Sequence, residues 1–113
     1  MEPTTLMVPE IDPQTVMTML SQQPEPCLLD VRESREYATG HMSGARPVPL
    51  SEIARRLREL PRDRLIICIC RTGRRSRAAA RQLAQSGFTT ANLHGGMLRW
   101  YRNHLPIDEG VSE

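Results

Sequence analysis

Short apolar runs alternate along the chain with stretches whose apolar residues recur every three or four positions. Cys27-Leu28-Leu29-Asp30-Val31 and Leu65-Ile66-Ile67-Cys68-Ile69 have the near-continuous apolar character of strands buried on both faces of a parallel sheet. Thr89 to Leu93 reads as a further strand, and weaker strands are expected at Leu6 to Val8 and at Ala45 to Val48. Between them the sequence predicts helices. One is opened by Asp12 as N-cap, with Pro13 at its first position, and runs to about Ser21. A short one covers Ser34 to Thr39 and stops at Gly40. A third is capped by Ser51 and sets Ile53, Leu57 and Leu60 on one face. An alanine-rich helix runs from about Ser76 to Gln85, closed by Gly87, and the last follows Gly95-Gly96 and carries Trp100.

Strands alternating with helices give an α/β fold whose parallel sheet is covered by helices on both faces. The 113 residues show neither repeat nor linker, so one domain is expected over 1–113. Its core spans about 5–104, and the polar tail over 106–113 is expected to be loose. A chain of this length buries roughly two-thirds of its surface on folding, enough for a core without disulfides or structural metal.

Cysteine usage and charge narrow the setting. Three cysteines, Cys27, Cys68 and Cys70, follow a start that lacks a basic segment and apolar run, which argues against a secreted disulfide framework. The run from Leu65 to Cys70 is too short to cross a bilayer. A cytoplasmic protein with no membrane contact is expected. All 15 basic residues are arginine, and the net charge is only +2. Between Arg55 and Arg81, however, ten arginines face only Glu59 and Asp63, a local balance of +8 that attracts anions.

That charge surrounds one cysteine. In an open parallel sheet, ligands bind beyond the carboxyl ends of the strands, where Cys70 falls. The following Arg71-Thr72-Gly73-Arg74-Arg75 includes a glycine, and successive N–H groups in such a turn converge on an anion. A helix starting near Ser76 adds the positive end of its dipole. With Arg71, Arg74 and Arg75 alongside, these features are expected to favour the Cys70 thiolate, the state a nucleophile requires. A cysteine that only closed a buried strand would need neither the glycine turn nor the guanidinium groups.

Four stretches then coincide in order and spacing from about Cys27 to Trp100. They are Leu29-Asp30-Val31-Arg32-Glu33 with Glu36-Tyr37, Gly40-His41-Met42-Ser43-Gly44-Ala45, Cys70-Arg71-Thr72-Gly73-Arg74-Arg75-Ser76, and Leu93-His94-Gly95-Gly96 with Trp100. In these the chain resembles the single-domain rhodanese-like sulfurtransferases. The resemblance implies a central five-stranded parallel sheet with helices on both faces, and no metal or organic cofactor. It also implies a cysteine that takes a sulfane sulfur from a donor such as thiosulfate, holds it as a persulfide and passes it to a thiophilic acceptor. Cys70 matches the nucleophile. Arg71, Thr72, Gly73, Arg74, Arg75 and Ser76 match the segment that binds the transferred sulfur. Arg71 and Arg74 are candidates to attract the donor dianion, whereas Arg75 either faces substrate or pairs with Asp30, Glu33 or Glu36.

Other readings fit less well. A cysteine phosphatase or arsenate reductase uses the same strand, loop and helix but needs an arginine six residues after its cysteine, where this chain has Ser76. The Cys68–Cys70 spacing lacks the C-x-x-C pattern of metal or redox pairs, and Cys68 lies inside an apolar strand. His41 and His94 are expected to hold backbone rather than move protons. No aromatic residue lies between Glu52 and Arg81 to stack on bases, which disfavours nucleic acid. A non-catalytic binding module is disfavoured because the cysteine and its loop are both present. The expected partners are thus a small sulfur-donor anion and an acidic sulfur-carrier protein, met by a monomer whose apolar stripes are committed to one core.

Overall fold

A computed structural model describes residues 7–110. Five strands form a parallel sheet in the order β1 (Glu10–Ile11), β6 (Thr90–Leu93), β5 (Ile66–Ile69), β2 (Cys27–Asp30) and β4 (Arg46–Pro47). Side chains alternate between its faces, as the strand repeat requires. Leu29, Ile66 and Cys68 pack with Ala79, Ala80 and Leu83 of α3 (Arg74–Gln85) and with Ile53. Leu28, Ile67 and Ile69 pack on the opposite side with Val16 of α1 (Pro13–Leu20), Tyr37 of α2 (Ser34–Thr39), and Met97 and Trp100 of α4 (Gly96–Arg102). The expected α/β sheet with helices on both faces is therefore present.

Four local expectations need correction. The first strand lies at Glu10–Ile11 rather than at Leu6 to Val8; Leu6 falls outside the described residues, and Met7 is exposed. Pairing sets this position, because the Asn92 N–H donates to the Pro9 carbonyl and the His94 N–H to Ile11. The helix expected from Ser51 is instead two 3-10 segments, Leu50–Arg55 and Leu57–Glu59. Only eleven residues separate Pro49 from Pro61, and Arg56 is pinned between Glu52 and Glu59. Helix α3 starts at Arg74, two residues early, because Gly73 takes the left-handed conformation and caps it.

The tail is not loose over its described part. Its β7 (Ile107–Asp108) pairs antiparallel with β3 (His41–Met42), and the Gly110 N–H donates to the Ala38 carbonyl. Trp100 contributes by donating its indole N–H to Pro106 at 2.8 Å. Alternation of polar and apolar residues was too brief there to signal a strand.

Candidate active site

The sheet's central strand β5 delivers Cys70 to the carboxyl-end edge, beside the point where the connections diverge to opposite faces. From β2 the chain leaves through α2, and from β5 through α3. In open parallel sheets, ligands bind beside such a point of divergence. Cys70 itself is only 1% exposed, at the bottom of a tight turn.

Three donors converge on its sulfur. The Gly73 N–H lies 3.1 Å from Sγ, the Ser76 N–H 3.3 Å, and the Ser76 hydroxyl 3.2 Å. Gly73 makes this geometry available, since its φ of 100° reverses the chain in a conformation that favours glycine. The early start of α3 matters as well. It makes Ser76 part of the first helical turn, where backbone N–H groups have no helical acceptor and here point at the sulfur.

Burial alone would push the Cys70 thiol up. The Ser76 hydroxyl, followed by the backbone N–H groups of Ser76, Gly73 and Thr72, outweighs burial and holds the thiol below its ordinary value. The thiolate is thus favoured as expected, chiefly by aimed hydrogen bonds, with the Arg75 and Arg77 charges adding attraction. Cys68 behaves oppositely: fully buried among apolar neighbours, with Cys27 and Cys70 adding to the effect, its thiol is driven far up.

The arginines sort into different roles. Arg71 and Arg74 are exposed at the rim, as is Thr72. Arg75 makes a two-pronged pair with Glu36 of α2, Nη1 to Oε1 at 2.8 Å and Nη2 to Oε2 at 2.9 Å. It ties the helix after Cys70 to the helix after β2. Among the rest of the basic segment, Arg56 pairs with Glu52 and Glu59, Arg77 with Glu10, and Arg62 lies over the Phe88 ring. Much of the local +8 therefore serves the fold. Asp30 and Arg32 pair with each other, both buried, and Arg32 also donates to the Gly40 carbonyl at 2.8 Å. His41 stacks on Tyr37, and its Nδ1 lies 2.9 Å from the Tyr37 carbonyl, a structural arrangement.

Two contributors were not singled out in the sequence. Asn92 is completely buried in β6, and its amide donates to the Gly73 carbonyl at 2.9 Å while accepting from Ser76. Glu10 of β1 accepts from Asn92, at 3.0 Å, and from Arg77, at 2.8 Å. The available signal was a lone asparagine between Ala91 and Leu93, a polar residue that a buried strand keeps only if it is bonded. Nothing marked Glu10.

Comparison with known proteins agrees with this architecture. The model of the rhodanese-like domain matches residues 12–103. A sulfurtransferase of Allochromatium vinosum is 37% identical over 102 residues, covering 89% of this chain and 95% of that protein. A rhodanese-related protein from Thermoplasma volcanium superposes with a TM-score of 0.83 at 28% identity, over 88% of this chain and 97% of its own. Thiosulfate sulfurtransferase from Pseudomonas aeruginosa gives a TM-score of 0.82 at 29% identity, covering 96% of this chain but 21% of that longer one. Among the described residues, no helix is long and apolar enough to cross a membrane. With residues 12–103 matched and a near full-length sulfurtransferase relative, the chain belongs to the rhodanese-like sulfurtransferase family.

Proposed function

We propose that this protein moves a sulfane sulfur from thiosulfate or another persulfide donor to a thiophilic acceptor, carrying it as a persulfide on Cys70. The observation that supports this most is the convergence of the Gly73 N–H, Ser76 N–H and Ser76 hydroxyl on a single sulfur atom. Donors already in place stabilise a localised anion without reorganisation. A cysteine ionised in this way needs no separate general base.

In the first half-reaction the Cys70 thiolate attacks the outer sulfur of thiosulfate. A new sulfur–sulfur bond forms, the donor's sulfur–sulfur bond breaks, and its electron pair leaves with sulfite. In the second, an acceptor nucleophile attacks the outer persulfide sulfur and restores the thiolate. Arg71 and Arg74, exposed at the rim, draw in the donor dianion and present a basic edge to an acidic sulfur-carrier protein. The phosphatase alternative is disfavoured because Ser76 sits where that chemistry needs an arginine and turns its hydroxyl onto Sγ.

Intact mass spectrometry before and after incubation with thiosulfate, and again after a thiol reductant, tests the proposal. Gain of one sulfur atom, removed by the reductant and absent in Cys70→Ser, is the expected result. Equal gain in Cys70→Ser would sink it.

A further inference from the structure

Ser76 has one hydroxyl proton and two acceptors for it. Its Oγ lies 3.2 Å from Cys70 Sγ and is also hydrogen-bonded to Asn92 Oδ1. The orientation of the Asn92 amide is settled at its other end. Nδ2 donates to the Gly73 carbonyl at 2.9 Å and to the Glu10 carboxylate, whose oxygens lie at 3.0 and 3.1 Å. Both partners only accept, so a flipped amide would set oxygen against oxygen on two sides, and Oδ1 must face Ser76. Glu10 is itself held by Arg77 Nε at 2.8 Å, with His94 Nδ1 at 3.3 Å. A line of hydrogen bonds thus runs from a carboxylate on the sheet's edge strand through Asn92 and Ser76 to the sulfur. Glu10 lies outside the family match, which begins at residue 12.

We propose that Asn92, fixed by Glu10, is a positioning residue that makes the Ser76 hydroxyl a two-position donor, following the sulfur's negative charge through the transfer. The inference rests on the Cys70 persulfide reading. In the thiolate the charge is on Sγ and the Ser76 proton points there. When thiolate and thiosulfate dianion become persulfide anion and sulfite dianion, total charge is conserved, but the negative charge on the protein moves to the outer sulfur. Sγ is then a neutral, weak acceptor. The Ser76 proton turns to Asn92 Oδ1, so no buried donor is left unmatched.

The acceptor on Asn92 therefore competes with the thiolate and supports the persulfide. Its loss leaves the Ser76 proton to the sulfur alone, so the thiol becomes more acidic while the persulfide becomes less favoured. A merely structural Asn92 would give the opposite first effect, because a loosened cradle aims its N–H groups less well. The charged and titratable groups near the sulfur and this line are Arg75 and Arg77 of α3, Cys68 of β5, Glu10 of β1 and His94 after β6. All are retained in an Asn92 variant.

The test measures the pH midpoint of Cys70 alkylation and the persulfide share at a fixed thiosulfate-to-sulfite ratio, with thermal unfolding to confirm the fold. Asn92→Ala is expected to lower the midpoint by about one pH unit, a tenfold change in the thiolate-to-thiol ratio. It is also expected to cut the persulfide share about threefold or more. In a Ser76→Ala background the same substitution should no longer lower the midpoint. Glu10→Ala should shift it in the same direction relative to Glu10→Gln, which has lost the same charge but keeps an acceptor oxygen. A midpoint unchanged or raised in Asn92→Ala, or a fall that persists without the Ser76 hydroxyl, would overturn the inference. If Asn92→Ala does not fold, equal midpoints in the two Glu10 variants overturn it. A wild type that takes up no sulfur overturns the persulfide reading itself, and the thiol midpoints then sustain or sink the shared proton on their own.

Discussion

Met97 donates its backbone N–H to the carbonyl of Cys70 at 2.8 Å, and the next residue, Leu98, does the same for Arg71 at 3.0 Å. The first turn of α4 thus takes up the carbonyls of the cysteine loop from outside. With those carbonyls turned outward, the N–H groups of Gly73 and Ser76 are left facing the sulfur. Two chain segments far apart in sequence build one cradle.

Close approach of these segments predicts the effect of a single methyl group. A Cβ on Gly96 would lie 2.5 Å from the Arg71 carbonyl oxygen and 2.6 Å from that of Cys70, at a φ of 60°. Backbone atoms cannot step aside as a flexible side chain can, so Gly96→Ala must push α4 off the loop. Persulfide formation is expected to fall at least tenfold, with stability lowered by about 1–3 kcal/mol. Mass spectrometry after thiosulfate and urea unfolding measure the two effects. Full sulfur uptake by this variant would mean that α4 does not shape the cradle.

The paired cysteines of β5 and its end should separate packing from chemistry. Cys68 is fully buried with its thiol driven far up, whereas the cradle favours the Cys70 thiolate. Iodoacetamide at neutral pH is therefore expected to label Cys70 in the folded protein and leave Cys68 unlabelled until unfolding. Cys68→Ser places a hydroxyl among apolar side chains and should cost about 1–3 kcal/mol while persulfide forms at Cys70 as before. Peptide mapping and denaturant titration check these outcomes.

Most of the layered fold was legible because buried strands and amphipathic helices differ in period. Leu65 to Ile69 and the alanine-rich α3 could be placed from their residues alone. The cysteine, Gly73 and Ser76 were legible too, since an anion cradle needs backbone freedom followed by a helix start. What escaped depended on partners remote in sequence. Glu10 gains its place by pairing across 82 positions with Asn92, and Ile107 joins a strand only because Met42 offers an edge. The 3-10 segments escaped for a local reason: apolar residues at Leu50, Ile53, Leu57 and Leu60 fit an α-helical face as readily as one folded more tightly.

The Arg75–Glu36 pair gives stability a definite dependence on acid. Hydrogen bonds from Arg75, with burial opposing them, hold the Glu36 carboxyl at about 2 against an ordinary value of 4.5. A carboxyl whose folded pKa is depressed contributes stability that is complete above its unfolded value and is lost as pH falls through the folded one. The advantage of wild type over Glu36→Gln should therefore be constant near neutrality, shrink from about pH 4.5 downward, and vanish near pH 2. Partial exposure of both side chains limits it to about 1 kcal/mol. Urea midpoints across this range measure it; a gap independent of pH would mean that the pair contributes through packing alone.

A different charge pair should be far more costly to break. Asp30 and Arg32 are 0% and 4% exposed, and Arg32 also donates to the Gly40 carbonyl, binding the end of β2 to the turn after α2. Arg32→Ala leaves a buried carboxylate without its cation, which should lower stability by about 3–5 kcal/mol. Denaturant unfolding at neutral pH tests this. A loss below about 1 kcal/mol would show that water reaches Asp30 once the guanidinium is gone.

Donor charge offers the last discrimination. Arg71 is exposed at the loop rim, and its carbonyl, not its guanidinium, is what anchors α4. Removing the side chain should therefore leave the cradle intact and affect only what it attracts. Arg71→Ala is expected to weaken kcat/KM for thiosulfate by about three- to tenfold at low ionic strength, with little change in kcat. The loss should shrink as salt is added, because a dianion meeting an exposed cation is screened over about 10 Å at 0.1 M. A neutral organic persulfide has no such attraction to lose and should be used almost as well by the variant. Equal losses with both donors, insensitive to salt, would instead assign Arg71 a part in holding the loop. The guanidinium would then have to act on Cys70 through the backbone it shares rather than through its charge.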